Sequence, residues 1–205
     1  MKNVTFLAGI LGALLFISAS ILGGLQIEGY SFIRQFISES YATGIPNTTY
    51  LRYMYMSSGV LLALFGFLTP FVLTKIKLPK IGFFSFAIFY GFGTLITGFF
   101  PCDFGCPSDG DHLSISQFIH NTAGFLVYAV VPFCLIGIGF FAKKGNVGVQ
   151  YAKITIICAV LAFAFVVLLF SNPIGPFIGL FQRFIEASIL FWVIYTALYI
   201  RRINN

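Results

Sequence analysis

The sequence predicts an all-α integral membrane protein: a bundle of six transmembrane helices, with a short interfacial helix after the first span, forming a single domain over residues 1–205. Three observations carry this. Hydrophobic residues make up 59% of the chain and charged residues 9%, against about 25% charged in soluble domains; there is too little polar surface here to cover a water-facing globule. Six apolar stretches each approach the length of about 20 residues that, at a rise of about 1.5 Å per residue, crosses a hydrocarbon core of about 30 Å. The basic residues cluster in alternate connections between those stretches, as membrane topology demands.

Taken in order, the spans are Val4–Leu25, Tyr53–Thr74, Ile81–Phe100, Gln117–Phe141, Tyr151–Phe170 and Pro176–Ile200. Backbone polar groups must be satisfied within lipid, and these runs are too long for barrel strands, so each is a helix. Met1–Ser20 resembles a secretory signal in its single Lys, apolar run and small residues Ser18, Ala19 and Ser20. The apolar run continues through Ile21, Leu22 and Leu25, which favours a retained first span. Gln26–Arg52 is long for a bundle loop. Within it Ile33, Ile37 and Tyr41 recur at helical spacing, as do Phe32 and Phe36, with Arg34, Gln35, Ser38 and Glu39 on the other face. That pattern predicts a short helix lying in the membrane interface, ended by Gly44, Pro46 and Asn47. Pro101–Ser116 is an acidic loop rich in Gly, Pro and Asp, and Asn172, Pro173, Gly175 and Pro176 make a tight link between the last two spans.

The net charge of +6 is explained by topology. Lys2, Lys75, Lys77, Lys80, Lys143, Lys144, Lys153, Arg201 and Arg202 fall on one side of a six-span chain, and Glu28, Glu39, Asp103, Asp109 and Asp111 on the other. The positive-inside rule then places both termini in the cytoplasm of a multi-pass protein of the cell (inner) membrane. The basic balance suits contact with anionic lipid heads and is no nucleic-acid footprint. Membrane lipids are the expected partners, nucleic acid is not, and homo-oligomer formation is left open.

Few residues carry chemistry. Cys102 and Cys106 lie in the outer loop, where Gly105 and Pro107 make a turn; a disulfide holding the loop is the expectation, since a redox-active pair usually has Cys-x-x-Cys spacing. Cys134 and Cys158 fit as small apolar packing residues, and Trp192, in mid-span, as another. Arg183 and Glu186 are three apart on one helix and share a face. Counted from Arg201, they stand about 27 and 22 Å away, in the outer half of the span. Ionisable groups there turn toward partners or a wet cavity, which leaves a ligand site or an internal ion pair. His120, about 34 Å from Lys143, lies at similar depth, as a proton carrier, a head-group ligand or a bond across a helix interface. His112 reads as a solvated loop residue. Asp103, Asp111, His112 and His120 form no tight metal-binding motif, and Ser38, His120 and Glu39 or Glu186 allow a Ser-His-acid arrangement in composition only. There is no phosphate loop, no dinucleotide fingerprint and no pair of His on different spans for haem, so no cofactor is expected.

Phe36-Ile37-Ser38-Glu39-Ser40-Tyr41-Ala42-Thr43-Gly44 with Pro46-Asn47, the loop Phe100-Pro101-Cys102-Asp103 with Gly105-Cys106, then His120 and Gln182-Arg183, together resemble a bacterial and archaeal domain-of-unknown-function family, number 998. The resemblance covers nearly the whole chain and implies no established activity. More remotely the chain resembles the FRAG/DRAM/Sfk six-span membrane family, which carries an Ile-Ser-Asp-like motif after the first span and a His at the start of the fourth. Ser38-Glu39 and His120 hold the matching places, with Glu39 where Asp is usual, and the Cys loop departs from that pattern. This resemblance implies a role in lipid remodelling or distribution.

The expectation is therefore a polar cavity at the outer-leaflet boundary, built from Ser38, Glu39, His120, Arg183 and Glu186, which binds a lipid head group or amphipathic molecule. Arg183 would meet an anionic group, since its guanidinium matches phosphate or carboxylate. The alternatives are an intramembrane lipid hydrolase or acyl transferase using His120 with a carboxylate, a small transporter, or a purely structural membrane protein. The one-sided placement of the polar residues disfavours a transport route.

Overall fold

The computed structural model describes residues 1–73, 77–107, 113–143 and 147–202; Lys75, Asp109, Asp111, His112 and Lys144 lie outside the described residues. Regular structure among the described residues is helical throughout: α1 (Lys2–Leu25), α2 (Thr49–Leu73), α3 (Lys77–Phe86), α4 (Gly93–Phe99), α5 (Ile115–Ala142), α6 (Val149–Ser171) and α7 (Ile178–Arg202). A six-residue π-helical segment, Ala87–Phe92, joins α3 to α4, so these three pieces make one span. Among the described residues six helices are long and apolar enough to cross a membrane, in agreement with the six expected. Neighbours in sequence are neighbours in space, and α1 closes the ring against α7. The connection 26–48 and the described residues 100–107 and 113–114 gather at one end of the bundle, here the loop end. The opposite, terminal end carries Lys2, Arg201 and Arg202.

Without a hydrophobic drive between helices in lipid, close packing and interhelical bonds hold such a bundle. Gly59 and Gly91 permit backbone contact between α2 and the π segment: a methyl added at Gly59 would overlap Leu95 and Gly91, and one at Gly91 would overlap Ala63. Ser58 donates to the Gly12 carbonyl of α1 at 2.8 Å. Trp192 is fully buried, rings with Phe83 and Phe86, and donates its indole N–H to Thr155 at 3.1 Å, the packing role expected of it. Cys134 and Cys158 are free and buried. The outward faces are apolar, as at Ile157, Val160 and Leu168 of α6.

The helix found after the first span is a five-residue 3-10 turn, Ile37–Tyr41, with Ile37, Ser38, Ser40 and Tyr41 buried, tucked into the mouth of the bundle as a plug; it is shorter and tighter than the amphipathic pattern suggested. The reason is competition for backbone groups. Glu39 accepts from its own Phe36 N–H at 2.7 Å, and Gln182 of α7 accepts from Ile37 N–H at 2.6 Å. Side chains thus satisfy donors that would have extended an α-helix.

Candidate functional site

Below the plug lies a buried polar chamber of about 70 Å³. Glu186 enters it from α7 and is 7% exposed. Its two carboxylate oxygens accept hydrogen bonds from Tyr90 at 2.7 Å and Tyr128 at 2.8 Å. Tyr90 belongs to the π segment. A widened turn of this kind is frequent at functional sites, and here it carries the hydroxyl that meets Glu186. Gln182, one turn nearer the loop end, donates to the Tyr128 hydroxyl at 3.0 Å while holding Ile37 N–H. One continuous chain of hydrogen bonds therefore runs from the plug through Gln182 and Tyr128 to Glu186 and Tyr90. Tyr55 lines the same chamber, 1% exposed, and its hydroxyl has no hydrogen-bond partner among the described residues.

His120 comes from α5. Its Nδ1 faces the Phe100 carbonyl at 2.9 Å; a carbonyl only accepts, so Nδ1 carries the hydrogen. Ser38, from the plug, is 8% exposed and places its hydroxyl 3.3 Å from the Cys106 sulfur. Burial holds the Tyr41 phenol well above its ordinary range, an effect that neighbouring Thr97 lowers only in part.

Two further cavities flank the chamber. A vestibule of about 270 Å³ shares Ser38, His120, Gly124, Tyr128 and Gln182 with it. From there a groove of about 420 Å³ runs between α5 and α6, sharing Phe125, Tyr128 and Phe170 with the vestibule and continuing past Phe133, Phe163 and Val167. Polar chamber, mixed vestibule and apolar groove thus lie side by side, each sharing wall residues with the next.

The structure brings three of the five expected site residues to these spaces: Ser38, His120 and Glu186. The other two go elsewhere. Glu39 turns back to cap its own turn and to accept from Gln35 at 3.0 Å, beside a separate depression lined by Glu28, Tyr30 and Phe104. Arg183 neither pairs with Glu186 nor lines these spaces. Its guanidinium donates to the carbonyls of Phe32, Gln35 and Gly179 and to the Tyr30 hydroxyl, at 2.7–3.0 Å, and lies over the rings of Tyr30 and Phe32. Helical side chains lean toward the helix N-terminus, so the long Arg183 reaches the loop end. Glu186, shorter and one turn deeper, meets the neighbouring spans. Burial holds the Tyr30 phenol above its ordinary range despite the lowering effect of Arg183. Ser38, His120 and the carboxylates each bond to other groups, so no nucleophile–base–acid relay is assembled.

The acidic loop is built as a brace. Cys102 and Cys106 form a disulfide, and Thr43 N–H donates to the Cys102 carbonyl at 2.8 Å, joining the two loops. Asp103 accepts from the Ser114 N–H at 2.9 Å and hydroxyl at 2.6 Å, while Ser114 caps α5 by accepting from Gln117 N–H at 3.0 Å. These donors hold the Asp103 carboxyl below its ordinary range. Asp103 is thus a capping group, and among the described residues no cluster of three His, Cys, Asp or Glu could hold a metal.

Tyr55, Tyr90 and Tyr128 were not legible as site residues. Tyrosine is common in spans as packing; only the bonds of Tyr90 and Tyr128 to Glu186, and the unpartnered hydroxyl of Tyr55 on the same chamber, distinguish these three. Gln182 carried a usable signal: an amide one turn from an intramembrane acid on the same helical face.

Fold and site together define a multi-pass membrane protein with a polar chamber near one end of its bundle. The chain belongs to the family described as protein of unknown function (DUF998), whose model matches residues 10–199. No curated protein and no solved structure matches it.

Proposed function

We propose that this protein binds a membrane amphiphile, with the polar head in the chamber and the chain along the α5–α6 groove. The observation that carries the reading is the adjacency of the three spaces: the groove shares its wall with the vestibule, and the vestibule with a buried set of polar groups. Lipid tails are as apolar as the groove, so tail contact alone gives little net gain over bulk lipid. Selectivity then resides in Ser38, His120, Gln182, Glu186 and the tyrosines around them. Arg183, expected to meet an anionic group, instead holds the plug in place. The protein sits in the cell membrane with its loop end outside and both termini in the cytoplasm. This orientation is supported by the basic residues at the terminal end and by a disulfide at the loop end, which persists in oxidising compartments.

Gly124 lies where chamber and vestibule meet, and a Cβ added there meets nothing within 4 Å. Gly124→Leu therefore fills the neck with little strain on the helix. Native mass spectrometry with lipidomics on gently purified protein should find a defined amphiphile on the parent and its loss in Gly124→Leu. The same unselective lipids on both proteins would overturn the proposal.

A further inference from the structure

Resting on that amphiphile reading, we infer that the chamber selects a primary ammonium group on a short arm. The balance of donors and acceptors points to it. Glu186 accepts one hydrogen bond at each oxygen, and a carboxylate offers about four lone-pair positions, so about two remain. No cationic side chain among the described residues contacts it. Tyr55, 1% exposed, lines the same space, and its buried hydroxyl has no partner among the described residues.

Most N–H donors near the site are engaged or turned away from it. One Gln182 Nε2 hydrogen serves the Tyr128 hydroxyl and His120 Nδ1 serves the Phe100 carbonyl. The Arg183 guanidinium, which does not line the chamber, serves loop carbonyls and Tyr30 through its terminal nitrogens and keeps a buried Nε–H without a partner among the described residues, so the second Gln182 hydrogen is the N–H donor left at the chamber. A phosphate or carboxylate head entering here would lose its hydration with few donors to replace it. An ammonium brings what the set lacks, a positive charge and three N–H donors. The rings of Phe16, Tyr41 and Tyr55 line the same space, and aromatic faces attract cations. The size agrees. The chamber offers about 70 Å³ where one water requires about 10–15 Å³, which suits a head of a few heavy atoms with the rest of the molecule in the vestibule and groove.

The test is a titration of the purified full chain, followed by native mass spectrometry, with three probes of equal chain length: dodecylammonium, dodecanol and dodecyl phosphate. The expected result is that dodecylammonium binds at least about tenfold more tightly than the other two. Glu186→Gln should bring amine and alcohol to near equality, and Tyr55→Phe, which keeps the ring, should weaken the amine by about threefold or more. Should either variant fail to fold, the preference of the parent decides by itself. Competition with ethylammonium separates the sources: displacement indicates a free amine as ligand, and no displacement an amine-bearing amphiphile. If all three dodecyl probes bind the parent alike and Gly124→Leu loses them, the ammonium inference is overturned while the amphiphile reading stands. If none binds the parent, both fall.

Discussion

Replacing Arg183 with Ala separates a guanidinium that meets a ligand from one that holds the plug. The side chain bonds to three carbonyls and a phenol. The Gly179 carbonyl stays in the α7 hydrogen-bond ladder after the change, so the loss falls on Phe32 and Gln35. Each carbonyl left without its donor costs about 1–2 kcal/mol, and the two ring contacts add about 0.5–1 kcal/mol. Arg183 is only half-buried, so water recovers part of this, and a net destabilisation of about 2–3 kcal/mol results. For a chain of this size each kcal/mol moves the melting temperature by about 2–4 °C, giving a fall of about 5–10 °C. Arg183→Lys keeps the charge without the planar fork and should lose about half as much. Thermal melting in detergent measures both, and hydrogen exchange should show the backbone of residues 30–41 losing protection in Arg183→Ala. A variant that melts within about 1 °C of the parent, yet changes its ligand preference, would refute the assignment of Arg183 to the plug.

Two further outcomes test the brace around the site. Asp103 has its folded-state pKa depressed by Ser114, so its stabilising contribution is fully present above the ordinary carboxylate pKa and is lost as pH falls through the lower folded value. The gap in melting temperature between parent and Asp103→Asn should therefore close below about pH 4; a gap that stays constant from pH 3 to 7 contradicts the capping role. Replacing both Cys102 and Cys106 with Ser removes a small closed loop, worth about 2 kcal/mol on the chain-entropy account. It should also raise hydrogen exchange at Ser38 and Thr43, which the disulfide loop contacts. Unchanged exchange there would mean the loop does not support the plug.

Much of the architecture follows from one-dimensional patterns. Apolar run length sets the number of spans, because a helix crossing lipid must keep its backbone bonds within itself. Cys102 and Cys106 are close enough in sequence for the turn at Gly105 to join them. His120 and Glu186 stand out because polar groups in an apolar span are costly and so are seldom without a role. The partner of each polar group is a different matter. Arg183 and Glu186 share a helical face in sequence, yet side-chain length and the tilt toward the helix N-terminus send one to the plug and the other to the chamber. Glu39 sits on the expected polar face of an amphipathic helix, yet its carboxylate bonds to the shorter turn that forms there. The tyrosines of the chamber come from three different spans, and a π segment no periodicity announces brings Tyr90 to Glu186. Length and hydropathy are local properties, and the sequence by itself determined the membrane bundle through them. The composition of the chamber, its acceptor-rich character and its place beside the vestibule and groove depend on which helices meet, and only the tertiary structure decided those.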